Sequence, residues 1–280
     1  MSELEPPRIS VPGPQVDHQE LERLRLLDEV WDQEVEEFLD RLNLAPGSRV
    51  LELNCAFGFD LPRLARRVGA SGEVVGVEPD PMVAQECRKL VKARGLNRIR
   101  IALGDEALDP IPEGPYDAIF CSWKPGRRQP APTELRVLLR RARRLVTHSG
   151  RIAVFEFHHE GIRMFPFSPA LERVVAALRD NRRKEGLDTA AVCRLPGEFT
   201  AAGFMFESAW PRQKAEAPGS ATYRWIEQLL QERGRQLVDK LILTEEEWKA
   251  FLQEWEQRRI DPKTLLFSPQ AVGVLGRAIA

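Results

Sequence analysis

The sequence predicts a doubly wound α/β fold, and three observations point to it. Short apolar runs alternate with helical patterns between residues 48 and 157, the segments between runs are too long for hairpins, and the residues that close the runs are polar. Strands separated by helices pair in parallel and are covered on both faces. Such sheets bind ligands beyond the carboxyl ends of their strands, so the polar closing residues are the place to look for chemistry.

The elements follow in order. Residues 1–19 are Pro-rich and polar, with too little apolar surface to offset ordering entropy, and a disordered N-terminal arm is expected. From Glu20, Leu24, Leu27, Trp31, Val35, Phe38 and Leu42 recur at three- and four-residue steps. This is one helix over 20–46, ending near Pro46-Gly47. Strands are then expected at Val50–Leu53, Val74–Val77, Ile99–Leu103, Ala118–Cys121 and Ile152–Phe157, with helices at Leu61–Val68 and Met82–Arg94 between them. Beyond the core, a helix fits Pro169–Arg182, a short helix ends at Gly203, and a strand follows at Phe204–Trp210. Two charged amphipathic helices, about 221–240 and 244–258, precede a last strand at 271–278. Thr244 with Glu247 reads as the capping box of the second. The expectation is a mostly parallel sheet of seven strands in one domain spanning 20–280. Its core covers 48–160, and its second half, 161–280, carries a helical insertion at about 218–260.

Composition narrows the function. Across 280 residues, 41 basic and 42 acidic side chains nearly cancel, which gives no electrostatic case for a dedicated nucleic-acid binder. Cys55, Cys87, Cys121 and Cys193 are scattered without a CxxC or Cys/His ligand cluster, so neither a metal site nor a disulfide framework is expected. No start segment has the basic-then-apolar order of a leader, and no apolar run nears the ~18 residues of a membrane span. A cytoplasmic protein without membrane or nucleic-acid partners is the expectation.

The strand ends carry the more specific signal. The first strand ends at Glu52-Leu53-Asn54, and the chain turns through Cys55, Ala56 and Phe57 to Gly58. The second closes on Glu78, followed by Pro79-Asp80-Pro81. The third runs into Asp105-Glu106, the fourth into Ser122-Trp123, and the fifth into Glu156-Phe157-His158-His159. An acid ending the second strand is placed to accept both hydroxyls of a ribose. The hydride-transfer fingerprint GxGxxG, laid on residues 54, 56 and 59, finds Asn, Ala and Phe and fails. The pattern acid-x-G-x-G-x-G, laid on 52, 54, 56 and 58, finds Glu, Asn, Ala and Gly.

With these segments in this order, the chain resembles the class I S-adenosylmethionine-dependent methyltransferases, of the bacterial small-molecule type, with an altered glycine motif. "VLELNCAFGFD" resembles motif I, "VVGVEPDPMV" the ribose-binding segment, and "GDEALDPIPEGPYDAIFCSW" the adenine-contacting loop and fourth strand. The resemblance implies S-adenosylmethionine as cofactor. Glu52 would lie near its methionine amino group, Glu78 on its ribose, and Asp105 with the backbone of Glu106 at its adenine. Asn54, Cys55, Ala56, Gly58, Pro79 and Trp123 complete the expected cofactor site. Two positions depart from the pattern. Glycine at the first supplies a positive φ and at the second lets the backbone approach the cofactor. Asn54 tolerates left-handed geometry, whereas the Ala56 methyl group occupies space the cofactor normally approaches.

Methyl transfer from a sulfonium needs in-line placement of a nucleophile, with a general base when the acceptor is a hydroxyl. His158 and His159 close the fifth strand on the rim where an acceptor would lie and are the candidates for that base; the alternative is a pair of hydrogen-bonded rim histidines. "MFPFSP" (164–169), Tyr223 and Trp225 either line an apolar acceptor pocket or belong to the core. The helix 134–146 reads as buried through Leu135, Val137, Leu138, Leu139, Ala142 and Leu145, with its arginines on a solvated face. Two functions stand side by side: methyl transfer to a small organic acceptor, foremost at oxygen, or a methyltransferase-like binding or partner subunit without turnover. A third is a fold member that uses the cofactor for another reaction. Neither the acceptor nor the oligomeric state is specified by the sequence.

Overall fold

A computed structural model describes residues 18–104, 111–123, 132–158, 161–186 and 191–279. The core begins with helix α1 (His18–Asp40), then β1 (Arg49–Leu53), α2 (Leu61–Val68), β2 (Glu73–Glu78), α3 (Pro81–Ala93) and β3 (Ile99–Leu103). It continues through β4 (Tyr116–Trp123), α4 (Pro132–Leu145) and β5 (Val146–His158). The second half comprises β6 (Arg163–Phe165), α5 (Pro169–Lys184), α6 (Ala191–Ala202), β7 (Phe204–Arg212), β8 (Ala215–Glu216), α7 (Ala221–Asp239), α8 (Glu245–Arg259), β9 (Leu265–Phe267) and β10 (Gln270–Ala278).

Seven strands form one sheet in the order β3-β2-β1-β4-β5-β10-β7. Strands β1 to β5 pair in parallel and β10 runs antiparallel to both neighbours, so the sheet is mostly parallel and doubly wound, as the alternation of runs and helices predicts. The continuous apolar runs follow from burial on two faces. Val50, Phe120, Ala153 and Phe155 point into the core under α1, α2 and α3. Leu51, Val75, Ile119 and Val154, one residue out of step with them, point into the core under α4 and α6.

Helix α1 lays its predicted stripe on the first face. Trp31 meets Phe157 edge-on with ring centroids 5.3 Å apart and Trp225 of α7 at 6.2 Å, and Phe38 stacks on Trp210 at 6.1 Å. Two boundaries are corrected. The helix begins at His18, so residues 18 and 19 are not part of an arm, and 1–17 lie outside the described residues. It ends at Asp40 rather than near Gly47, because the chain turns through Asn43, whose φ of 48° is left-handed.

A small antiparallel sheet, β6-β9-β8, was not legible in the sequence. Strands of two or three residues leave no alternation to detect. The capping box at α8 is present, with Thr244 and Glu247 exchanging side-chain and backbone hydrogen bonds. Helices α7 and α8 cross at Gly234, where an added Cβ would overlap the Trp248 ring. Gly234→Ala is therefore expected to destabilise by about 1–3 kcal/mol through overpacking, read from urea denaturation. A loss below ~0.5 kcal/mol would show that this crossing is not tight.

Three side-chain readings change with the structure. Val137 is 45% exposed, while Leu135, Leu138, Leu139 and Ala142 bury the α4 stripe as expected. Phe165 and Phe167 are 64% and 66% exposed and do not belong to the core. Tyr223 and Trp225 are fully buried in the core, so the core alternative holds for them. No described helix is long and apolar enough to cross a membrane.

Candidate functional site

The strand register brings the polar closing residues to one edge. Leu53 stands beside Val77 and Cys121, and Ser122 beside Phe155, so Glu52, Glu78, Ser122 and Glu156 all sit at the carboxyl ends of adjacent strands. All four are buried. Four polar side chains at the end of one sheet are costly to bury, and their common location marks the place where they are used.

The turn from β1 to α2 keeps a glycine-type backbone without the glycines. Asn54, Ala56 and Gly58 have φ of 57°, 53° and 75°, all left-handed. For Asn this costs little; for Ala it costs roughly 1–2 kcal/mol. Hydrogen bonds hold the strained path. The Cys55 N–H donates to the Val77 carbonyl at 3.0 Å and the Gly58 N–H to the Cys55 carbonyl at 2.8 Å. The Ala56 N–H donates to Glu78 Oε2 at 2.8 Å, so the acid closing β2 reaches across and pins the most strained residue of the turn.

Glu78 has a second partner, the Asp80 N–H, which donates to Oε1 at 3.1 Å. An ionised carboxylate accepts hydrogen bonds at both of its oxygens, which is the chemistry that a pair of ligand hydroxyls requires. The residues therefore fit a ribose diol. Glu78 is fully buried, however, and hydroxyls would reach it only if the chain covering it moves. Pro79 leads directly into α3, whose N-cap Asp80 accepts from the Met82 and Val83 N–H groups at 2.8 and 3.1 Å. An anion-friendly helix start thus lies next to the acid.

The hydrogen bond that the Cys55 thiol donates to Cys87 and burial push this thiol well above its usual range, helped by the charge of Glu52, itself buried under the turn. Cys55 therefore stays protonated in the folded protein. The unfolded chain loses this proton near pH 9 and the folded one does not, so this contribution to stability is present below pH 9 and lost as the solution becomes more alkaline. Cys55, Cys87 and Cys121 are buried and Cys193 is exposed. A thiol reagent at pH 8 is expected to label one cysteine in the native protein, Cys193, and all four after denaturation. Rapid native labelling at Cys55 would show that the turn opens readily.

The remaining predicted residues are placed as follows. His158 ends β5, half-buried, in register with Gln270. Trp123 ends β4 in register with Glu156. Asp105, Glu106 and His159 lie outside the described residues.

Sequence reasoning missed the clamp beneath the site. Arg63 of α2, a buried side chain, donates to Asp28 of α1 at 2.7 Å, to Asp60 at 2.8 Å and to the Phe59 carbonyl at 3.0 Å, and also pairs with Asp32. It ties the end of the turn to the N-terminal helix. Acids at 28, 32 and 36 share one face of a helix, which is a signal of a basic partner, but nothing in their spacing says which arginine.

With this geometry established, comparison with known proteins becomes informative. Residues 33–146 match the family model of protein-L-isoaspartate(D-aspartate) O-methyltransferase. A protein-L-isoaspartate O-methyltransferase of Archaeoglobus fulgidus is 34% identical over 79 residues, 28% of this chain and 36% of that relative. Nocamycin O-methyltransferase of Saccharothrix syringae is 35% identical over 85 residues, 30% of each chain. The chain thus matches about a third of the length of these curated relatives. Among solved structures, a SAM-dependent methyltransferase from Aquifex aeolicus superposes with a TM-score of 0.52 at 14% identity, covering 95% of this chain and all of the other. The sheet order, the strand-end acids and the matched core agree: in fold, and in sequence over residues 33–146, the chain is similar to S-adenosylmethionine-dependent methyltransferases of class I.

Proposed function

We propose that the protein binds S-adenosylmethionine at the carboxyl ends of β1 and β2 and transfers its methyl group to a small organic acceptor, foremost to oxygen. The observation that carries this reading is the left-handed path through Asn54, Ala56 and Gly58, held in place by Glu78. A turn that had lost its ligand would have no reason to keep an alanine in a conformation that costs roughly 1–2 kcal/mol. Bound there, the sulfonium supplies an activated methyl group. The chain would supply placement: Glu52 and Asn54 beside the methionine portion, Glu78 and Pro79 at the ribose, Cys55, Ala56 and Gly58 as backbone along it, and Asp105, Glu106 and Trp123 toward the adenine. His158 ends β5 as the candidate proton acceptor for a hydroxyl, a role for which His159, outside the described residues, is the other candidate.

Helix α1 and the second half, 161–280, would close over the acceptor, with the core 48–160 holding the cofactor. A cytoplasmic location is consistent with this small-molecule chemistry.

A second reading, methylation of isoaspartyl carboxylates in proteins, has one specific observation in its favour, the family-model match over residues 33–146. That match ends where β5 begins and leaves out the half that would shape the acceptor site. Relatives with a protein acceptor and with a small-molecule acceptor both align over a similar share of the chain. Transfer of labelled methyl groups from S-adenosylmethionine to a panel of small hydroxyl and carboxyl acceptors, with an isoaspartyl peptide alongside, tests the proposal. Product on a small acceptor supports it. Product on the peptide alone replaces it with the second reading. No product on either, from protein that binds the cofactor, favours a binding subunit or a different reaction.

A further inference from the structure

At the edge of the sheet opposite the strand-end acids, a cavity of about 320 Å³ lies between α2 and the loop that carries α3 into β3. Its apolar wall is made by Pro62, Ala65 and Val68 of α2, Val74 of β2, and Leu96 and Ile99. Val74 is the second residue of β2 and Glu78 its last, so strand steps of ~3.3 Å put roughly 13 Å between this wall and the proposed cofactor contacts. The methyl-transfer reading makes no use of it.

Both walls are tied down by contacts of their own. At the end of α3, Gly95 takes a left-handed φ of 68°. Its N–H donates to the Lys92 carbonyl at 3.0 Å and the Leu96 N–H to the Val91 carbonyl at 3.1 Å, which satisfies the last carbonyls of the helix. The Ile99 N–H then donates to the Leu96 carbonyl at 3.1 Å as β3 begins. On the other side, Arg63 and Arg67 pair with acids of α1 and hold α2 in place. The space therefore exists before any ligand arrives, which spares binding an ordering cost.

The charges around the cavity have one sign. Of the residues that line it, Arg66 and Arg98 are charged and none is acidic. Arg66 gives one nitrogen to Glu36, and the Arg98 guanidinium meets no acid among the described residues. An apolar wall with guanidinium groups beside it suits an apolar body that carries an anionic group. Both arginines are exposed, so water screens them and they select the sign of the ligand more than they add affinity. Size selects as well. At the ~30 Å³ that a water-sized group occupies, the cavity holds roughly ten non-hydrogen atoms. A carboxylate on a chain of about eight carbons matches that size.

We propose that this cavity is a binding site for a small carboxylic acid with an apolar body, separate from the site of methyl transfer. The proposal goes beyond the methyltransferase reading and does not depend on it.

Calorimetric titration of the full chain with octanoate, the neutral octan-1-ol and octylamine, a cation near pH 7, tests it. Octanoate is expected to bind at about 1 mM or tighter, and at least about threefold more tightly than octylamine. Arg98→Glu is expected to remove or reverse that preference while octan-1-ol affinity stays within about twofold. Ala65→Trp fills the space and is expected to weaken octanoate and octan-1-ol alike about tenfold or more. If Ala65→Trp does not fold, Ala65→Leu makes the same test with a smaller insertion. Equal affinity for octanoate and octylamine, a preference unchanged by Arg98→Glu, or undiminished affinity in the folded Ala65 variant overturns the proposal. Octanoate that displaces S-adenosylhomocysteine in competition would place the anion at the strand ends and overturn it too.

Discussion

Arg63→Ala is expected to destabilise the protein by about 3–5 kcal/mol, because it takes the guanidinium away from buried carboxylate. The guanidinium is 7% exposed and donates to Asp28, Asp32, Asp60 and the Phe59 carbonyl. Burial alone would lower its pKa; the hydrogen bond it donates to Asp28 and the charges of Asp60 and Asp28 more than reverse that and raise it overall. Asp60 is as buried as Arg63 and cannot be rehydrated without opening the turn. Asp32 is 58% exposed and contributes less, which places the loss toward the lower part of that range. Urea denaturation measures it. Because Phe59 and Asp60 end the turn, the variant should also bind S-adenosylhomocysteine more weakly. Arg63→Lys, with one charge but no fork of donors, should fall between the two. A loss below ~1 kcal/mol for Arg63→Ala would mean that α1 is held by its apolar stripe alone.

Glu78→Ala is expected to lower S-adenosylhomocysteine affinity by about 100-fold or more and to cost about 2–4 kcal/mol of stability, from two hydrogen bonds to a charged acceptor. The Ala56 and Asp80 N–H groups both depend on this carboxylate. The first restrains a left-handed alanine and the second starts α3, so the two losses arise from one side chain. Glu78→Gln separates them. Its amide keeps one acceptor oxygen for the turn and turns a donor toward the other side, so stability should fall by only ~1–2 kcal/mol while ligand affinity still drops steeply. Denaturation and calorimetry on both variants give the comparison. Glu78→Ala with affinity within threefold of the parent would remove Glu78 from the ribose role.

The fold was legible because its core elements are long enough to show their period. Leu61–Val68 follows from apolar residues at 61, 64, 65 and 68, one face of a helix, Phe204 onward from its aromatic and apolar residues after Gly203, and the Thr244–Glu247 box from a local hydrogen-bond pattern. The strand-end acids were legible for the same reason, since each closes such a run. What was not legible is long-range. Strands β6, β8 and β9 become a sheet only when residues 163 and 267 meet. The glycine motif shows the limit from the other side. Residue types at 54 and 56 depart from the expected pattern, yet their backbone takes the geometry glycine would take. Side-chain identity is a proxy for φ, and here a buried carboxylate from the next strand supplies what the proxy lacks.

That substitution of a carboxylate contact for two glycines is the central claim, and it is tested most directly by calorimetric titration of S-adenosylhomocysteine into the parent protein and Ala56→Gly. The account predicts micromolar binding to the parent. It also predicts that Ala56→Gly binds as tightly or more tightly and is more stable by about 1 kcal/mol, since the strained φ is relieved. Absence of binding to folded parent protein, restored or not by the glycine, would contradict it.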